Sequence, residues 1–177
     1  RILRGFGCRV IAFDPSRNPA CEEIAVEYVG LDALYAASDV ITLHCPLTPG
    51  TRHLINDAAL AKMKPGVMLI NTSRGGVIDT RALIGALKKG RVGAGGAGVY
   101  GEKGGLFFKD LSEPGIQDDV FVRLLSFPNV FITAHQGFFT REACEAIART
   151  TIGNISAFEH GRVEEANRVT LRLVAGR

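Results

Sequence analysis

The chain has 177 residues, 46% of them hydrophobic and 22% charged, the length and balance of one globular domain. A formal net charge of +3 with scattered Lys and Arg argues against a nucleic-acid footprint, and no apolar run approaches the roughly 18 residues of a membrane span. The cysteines Cys8, Cys21, Cys45 and Cys144 form no C-x-x-C pair, so no zinc or redox motif is indicated and they read as reduced thiols of a cytoplasmic protein.

The first residues, Arg1 to Gly5, hold too short an apolar stretch for a signal peptide. Without a Met they read as the last turns of a helix that starts elsewhere. Residues 9–13 form a short apolar run stopped by Asp14-Pro15, a buried strand and a turn. Leu31, Leu34 and Tyr35 share one face of a helix over 31–38, and Val40 to Cys45 is strand-like up to Pro46. Asn56 is placed to cap a helix running to Met63, which Pro65-Gly66 ends. Val67 to Ile70 is a fully apolar strand, and Asp79 caps the next helix, which Lys88-Lys89 and Gly90 close.

Residues 92–100 occupy a strand's place in the alternation, yet their composition opposes one, because each interior glycine costs roughly 0.5–1 kcal/mol. Residues 101–120 read as loop, with an apolar patch at Leu106-Phe107-Phe108. Val130 to Thr133 is the last strand, followed by one long helix from Thr140 to His160 and a basic tail. Alternating helices and apolar strands predict an α/β fold, a parallel sheet with helices on both faces.

Three residues at strand ends carry candidate chemistry. Asp14 is a carboxylate suited to the adenosine ribose hydroxyls of a dinucleotide, its charge disfavouring a 2′-phosphate; the plainer reading is an Asp-Pro turn. Arg74, in Asn71-Thr72-Ser73-Arg74-Gly75-Gly76, faces the ligand crevice of a parallel sheet and offers a bidentate grip on a carboxylate; otherwise it is a surface Arg in a glycine turn. His135, at the end of the last strand, is a proton-transfer group or a structural imidazole.

In order and spacing, His44 to Pro49 with Thr51 to Asn56, Leu69 to Gly76, and Phe127 to Val130 leading to His135-Gln136 resemble the D-isomer-specific 2-hydroxyacid dehydrogenases over about residues 1–160. Leu106-Phe107-Phe108 and His135 to Thr140 point to the D-lactate branch. The resemblance implies a Rossmann-like doubly wound sheet that binds NAD and serves hydride transfer between the cofactor and a small 2-oxo or 2-hydroxy acid. It implies that Arg74 binds the acid, His135 supplies the proton and Asp14 holds the ribose. Cys45 and Pro46 with Thr51 line the adenine side, and Thr72 and Ser73 border the nicotinamide. It divides the chain into a partial NAD-binding domain at 1–139 and a returning helix and tail of a substrate domain at 140–177, and suggests a homodimer of the intact parent.

The family pattern is also broken. The first strand and its Gly-x-Gly-x-x-Gly turn are not in these 177 residues, so the chain reads as a fragment with weak or no NAD binding and no turnover of its own. The carboxylate that partners the catalytic His in the family falls on Lys103, with Glu102 as a weak substitute, and a family Asp falls on Gly98. Another family acid falls on Gly101, and glycines at these matched positions read as decay, as sequence error or as an unusual loop. Two other readings follow from the departures: a non-catalytic NAD-responsive binding module, and an inactive truncated homologue.

Overall fold

The computed structural model describes residues 1–100, 116–162 and 165–168, the last range without the side chain of residue 166. Two compact units divide the chain, Arg1–Ile132 and Thr133–Arg177.

The first unit is α/β. A one-turn helix α1 (Ile2–Gly5) leads to β1 (Ile11–Ala12), then α2 (Pro19–Glu22), β2 (Glu27–Tyr28) and α3 (Leu31–Ala37). β3 (Val40–Leu43), α4 (Asp57–Lys62), β4 (Val67–Asn71), α5 (Thr80–Lys88) and β5 (Val92–Ala97) follow, and α6 (Asp119–Leu125) and β6 (Val130–Ile132) complete it. Local hydrogen bonds start the helices where the sequence signals them. Asn56 Oδ1 accepts from Ala59 N at 3.0 Å, and Asp79 Oδ1 accepts from Arg81 N and Ala82 N at 3.0 and 3.2 Å.

All strand pairs are parallel, in two sheets ordered β1-β2 and β3-β4-β5-β6. From β3 to β6 each crossover steps the same way, and right-handed crossovers put the intervening helices on one face. Tyr35, Leu60, Leu83, Leu87 and Leu124 of α3 to α6 pack there with Ile41, Leu43, Val67, Leu69 and Val92 of the sheet in one apolar cluster. The opposite face of the strands carries Val40, Met68 and Phe131, which are exposed. The fold is the expected α/β class, parallel strands with flanking helices.

Three elements depart from the sequence expectation. β5 forms despite its glycines, because it is sandwiched between β4 and β6 and its ladder is closed by backbone groups alone. α6 lies partly in the stretch expected to be loop; its signal is confined to the Asp118 cap on Phe121 N and to buried Phe121 and Leu124. β2 is a short pairing segment with no apolar alternation. The residues 101–115, which include Glu102, Lys103 and the Leu106-Phe107-Phe108 patch, lie outside the described residues.

The second unit begins with the segment from Thr133 to Phe139 and continues into α7 (Arg141–Glu159), capped by Thr140 Oγ1 accepting from Ala143 N at 3.2 Å. No helix among the described residues is long and apolar enough to cross a membrane.

Candidate active site

Strand register brings the candidate residues of the first unit to one edge. Leu43 pairs with Asn71, Asn71 with Ala97 and Ala97 with Ile132. The four strands therefore end in one row. In a parallel sheet that C-terminal row is where ligands bind.

From β3 the chain leaves through His44, Cys45 and Pro46. The Cys45 carbonyl accepts from Ser73 Oγ at 2.6 Å, which ties the tip of β3 to the tip of β4. Burial pushes the Cys45 thiol above its ordinary value, outweighing a backbone hydrogen bond that lowers it. Pro46 O accepts from Thr51 Oγ1 at 2.5 Å, and Thr51 Oγ1 also accepts from Thr48 N at 2.8 Å. The Thr51 hydroxyl thus braces the 46–51 turn from inside.

From β4 the chain enters the Arg74 loop. Asn71 is buried, and its Oδ1 accepts from Ser73 N at 3.0 Å while its Nδ2 donates to Arg74 O at 2.9 Å. Ser73 is buried too. Thr72 is exposed, its hydroxyl 3.1 Å from His44 Nδ1, while His44 Nε2 lies 3.1 Å from Thr42 Oγ1. Arg74 is exposed, and its Nη1 donates to Ser73 O at 2.9 Å. Guanidinium carries five N–H donors, so this bond leaves most of the fork facing outward. A 3₁₀ turn follows at Gly75–Val77. It is buttressed by His53 N donating to Gly76 O at 2.8 Å and Ile55 N donating to Val77 O at 3.1 Å. A Cβ on Gly76 would meet Leu47 Cδ2 at 3.1 Å, so a glycine lets the two loops close on each other.

From β5 the ladder runs one residue further, with Gly98 N donating to Asn71 O at 2.9 Å. Cys45, Pro46, Thr51, Thr72, Ser73, Arg74 and Gly98 thus gather on the tips of three adjoining strands. Asp14 follows β1, in the two-stranded sheet, and is exposed; its Oδ1 accepts from Ser16 N at 2.7 Å. The Asp-Pro turn is therefore real, and it engages one carboxylate oxygen. Asn71 and His44 stood in the sequence motifs without a role assigned. The signal for Asn71 was available: Asn directly after an apolar strand favours a side-chain turn onto the backbone two residues on.

His135 belongs to the second unit. It is exposed and adopts φ 56°, a left-handed backbone that few residues other than glycine occupy. Next to it, Phe139 N donates to Gln136 O at 2.9 Å and Thr140 N to Phe138 O at 2.9 Å, a tight turn that hands the chain to α7.

The family model for the D-isomer specific 2-hydroxyacid dehydrogenase, NAD binding domain, matches residues 1–137. The chain belongs to this family. Among its 2-hydroxyacid dehydrogenase relatives, the D-lactate dehydrogenase of Escherichia coli (strain K12) is 53% identical over 161 residues, 91% of this chain and 49% of the relative. A D-lactate dehydrogenase from Treponema pallidum superposes with a TM-score of 0.89 at 36% identity, over 97% of this chain and 51% of the other. The D-lactate dehydrogenase from Aquifex aeolicus complexed with NAD and lactic acid gives a TM-score of 0.81 at 33% identity, over 98% and 50% respectively. The chain spans about half the length of the dehydrogenases it matches.

Proposed function

We propose that this chain is the NAD-binding part of a D-2-hydroxyacid dehydrogenase that interconverts pyruvate and D-lactate. The observation that carries the reading is Arg74: an exposed guanidinium on a hydrogen-bonded loop at the C-terminal edge of a parallel sheet, in a chain of this family. Relatives that align over nearly all of the chain are D-lactate dehydrogenases, one of them solved with NAD and lactic acid.

The edge has the chemistry for NAD. Asp14 is an exposed carboxylate at a strand end, and its second oxygen has no hydrogen bond among the described residues, so it is available to a ribose hydroxyl. Its charge disfavours a 2′-phosphate. The braced turn at 46–51 offers the adenine side backbone shape and the Pro46 ring, since the Thr51 hydroxyl is engaged within the turn. Thr72, Ser73 and Gly98 border the nicotinamide side. Bound there, reduced nicotinamide supplies a hydride.

Arg74 grips the carboxylate of the 2-oxo acid through two parallel N–H donors and polarises its carbonyl. His135 holds a proton at the carbonyl oxygen and releases it as the alcohol forms; in the reverse direction it takes that proton back. In this reading residues 1–139 serve the cofactor, and residues 140–177 return the chain toward the substrate-binding part.

The test is steady-state reduction of pyruvate by NADH in the full-length protein. Arg74→Ala is expected to lower kcat/KM by about 10²–10³-fold and His135→Ala by about 10²–10⁴-fold. A folded wild-type protein that reduces no 2-oxo acid with NADH would sink the reading.

A further inference from the structure

We propose that Asn71 is a positioning residue for Arg74, its side-chain amide setting the direction in which the guanidinium leaves the sheet. The inference rests on the dehydrogenase reading for its consequence, though its geometry stands apart from it.

Asn71 is the last residue of β4 and only 2% exposed. Its backbone is already engaged in the sheet, paired in register with Leu43 and Ala97, and its carbonyl accepts from Gly98 N. The side chain is not needed for that ladder. Burying a primary amide is costly unless both ends are hydrogen-bonded, and an apolar residue beside Val67 and Leu69 would fill the position without the cost. Both ends of this amide are bonded, and both go to the loop it precedes. Oδ1 takes the Ser73 N–H at 3.0 Å, and Nδ2 gives to the Arg74 carbonyl at 2.9 Å. One rigid planar group thus holds the backbone on both sides of the Arg74 Cα. Rotation about Arg74 φ or ψ, which would swing the guanidinium, breaks one of these bonds.

Arg74 has no other side-chain anchor among the described residues except its own neighbour's carbonyl, Ser73 O. That carbonyl moves with the loop, so it cannot fix the direction. Ser73 Oγ on Cys45 O, the Thr72 hydroxyl beside His44 Nδ1 and Val77 N on Arg74 O tie the loop at other points, but none of them spans both sides of the Arg74 Cα. The Asn71 amide removes the remaining freedom.

The variants separate the two bonds. Asn71→Asp keeps the shape and the acceptor for Ser73 N but opposes an oxygen to Arg74 O. Asn71→Ala loses both bonds, and Asn71→Ser restores an acceptor for Ser73 N through its hydroxyl. In the full-length protein with NADH and pyruvate, Asn71→Asp and Asn71→Ala should each lower kcat/KM for pyruvate by about 10²-fold, the cost of roughly 1 Å of misplacement. The KM for NADH should hold, and Asn71→Ser should recover part of the loss. Amide hydrogen exchange provides the second readout. Ser73 to Val77 should lose protection in Asn71→Ala while Val67 to Ile70 keep theirs. Wild-type kinetics in both variants, a parallel loss for NADH and pyruvate, or failure of all three variants to fold would each overturn the proposal. If the wild-type protein reduces no 2-oxo acid, the dehydrogenase reading falls on its own, and hydrogen exchange then decides: selective loss at Ser73 to Val77 supports the Asn71 clamp, and unchanged protection refutes it.

Discussion

The glycines of β5 are separable by what surrounds them, and alanine substitutions at Gly93, Gly95 and Gly96 should give opposite signs. The register between β4 and β5 slips beside Gly93: Val67 pairs with Val92, but Met68 pairs with Ala94. Gly93 is the extra residue of that irregularity, and it lies against the turn preceding β4. A Cβ there would sit 2.5 Å from Gly66 O and 3.0 Å from Gly66 C, about 1 Å inside ordinary contact with backbone that cannot rotate away. Gly66 is held in turn by its N–H donating to Arg91 O at 2.8 Å. Gly93→Ala should therefore cost about 1–3 kcal/mol, typical of overpacking, lowering Tm by about 2–12 °C at the 2–4 °C per kcal/mol of a chain this size. At Gly95 the nearest atom is Val130 Cγ2 at 3.5 Å, and at Gly96 it is Ile70 Cγ1 at 3.7 Å. Both accept a methyl group in ordinary contact. Gly95→Ala and Gly96→Ala should each stabilise by about 0.4–1 kcal/mol through the lost freedom of the unfolded chain, raising Tm by about 1–4 °C. Scanning calorimetry of the three variants is the assay. If Gly93→Ala melts with or above the other two, the close approach to Gly66 has been misread.

Three further outcomes follow from local features. Asp79→Ala removes the acceptor for two N–H groups at the start of α5 and should cost about 1 kcal/mol; Asp79→Ser should recover most of the lost Tm, and a Ser variant no better than Ala would discount the cap. Burial raises the pKa of both Cys45 and Tyr35 above their ordinary values of 9.0 and 10.0. An unfolded chain gives up these protons first, so their stabilisation is complete at neutral pH and is lost as pH climbs through the folded-state range. Tm should fall as pH passes those ordinary values, and Tyr35→Phe should flatten the fall; identical slopes for wild type and variant would refute the contribution of Tyr35. The same shift should make Cys45 slower than exposed Cys8 toward iodoacetamide at neutral pH, with equal rates by mass spectrometry contradicting it.

Much of this molecule is legible in the chain itself, because its signals act over a few residues. Asn56, Asp79 and Thr140 each cap a helix by bonding an N–H two or three positions on, and the apolar runs at Val40 and Val67 become strands as their composition demands. The family, the α/β class and the exposed placement of Asp14 and Arg74 at strand ends were likewise within reach of motif and spacing. Other features arise between segments distant in sequence. β5 is a strand because β4 and β6 flank it, whatever its own residues prefer. Gly93 is constrained by Gly66, and Ser73 reaches Cys45, through space rather than along the chain. Burial of the Asn71 amide depends on the strands and helices packed around it. Short-range hydrogen bonding is written in residue order, whereas close packing exists only once the strands have come together.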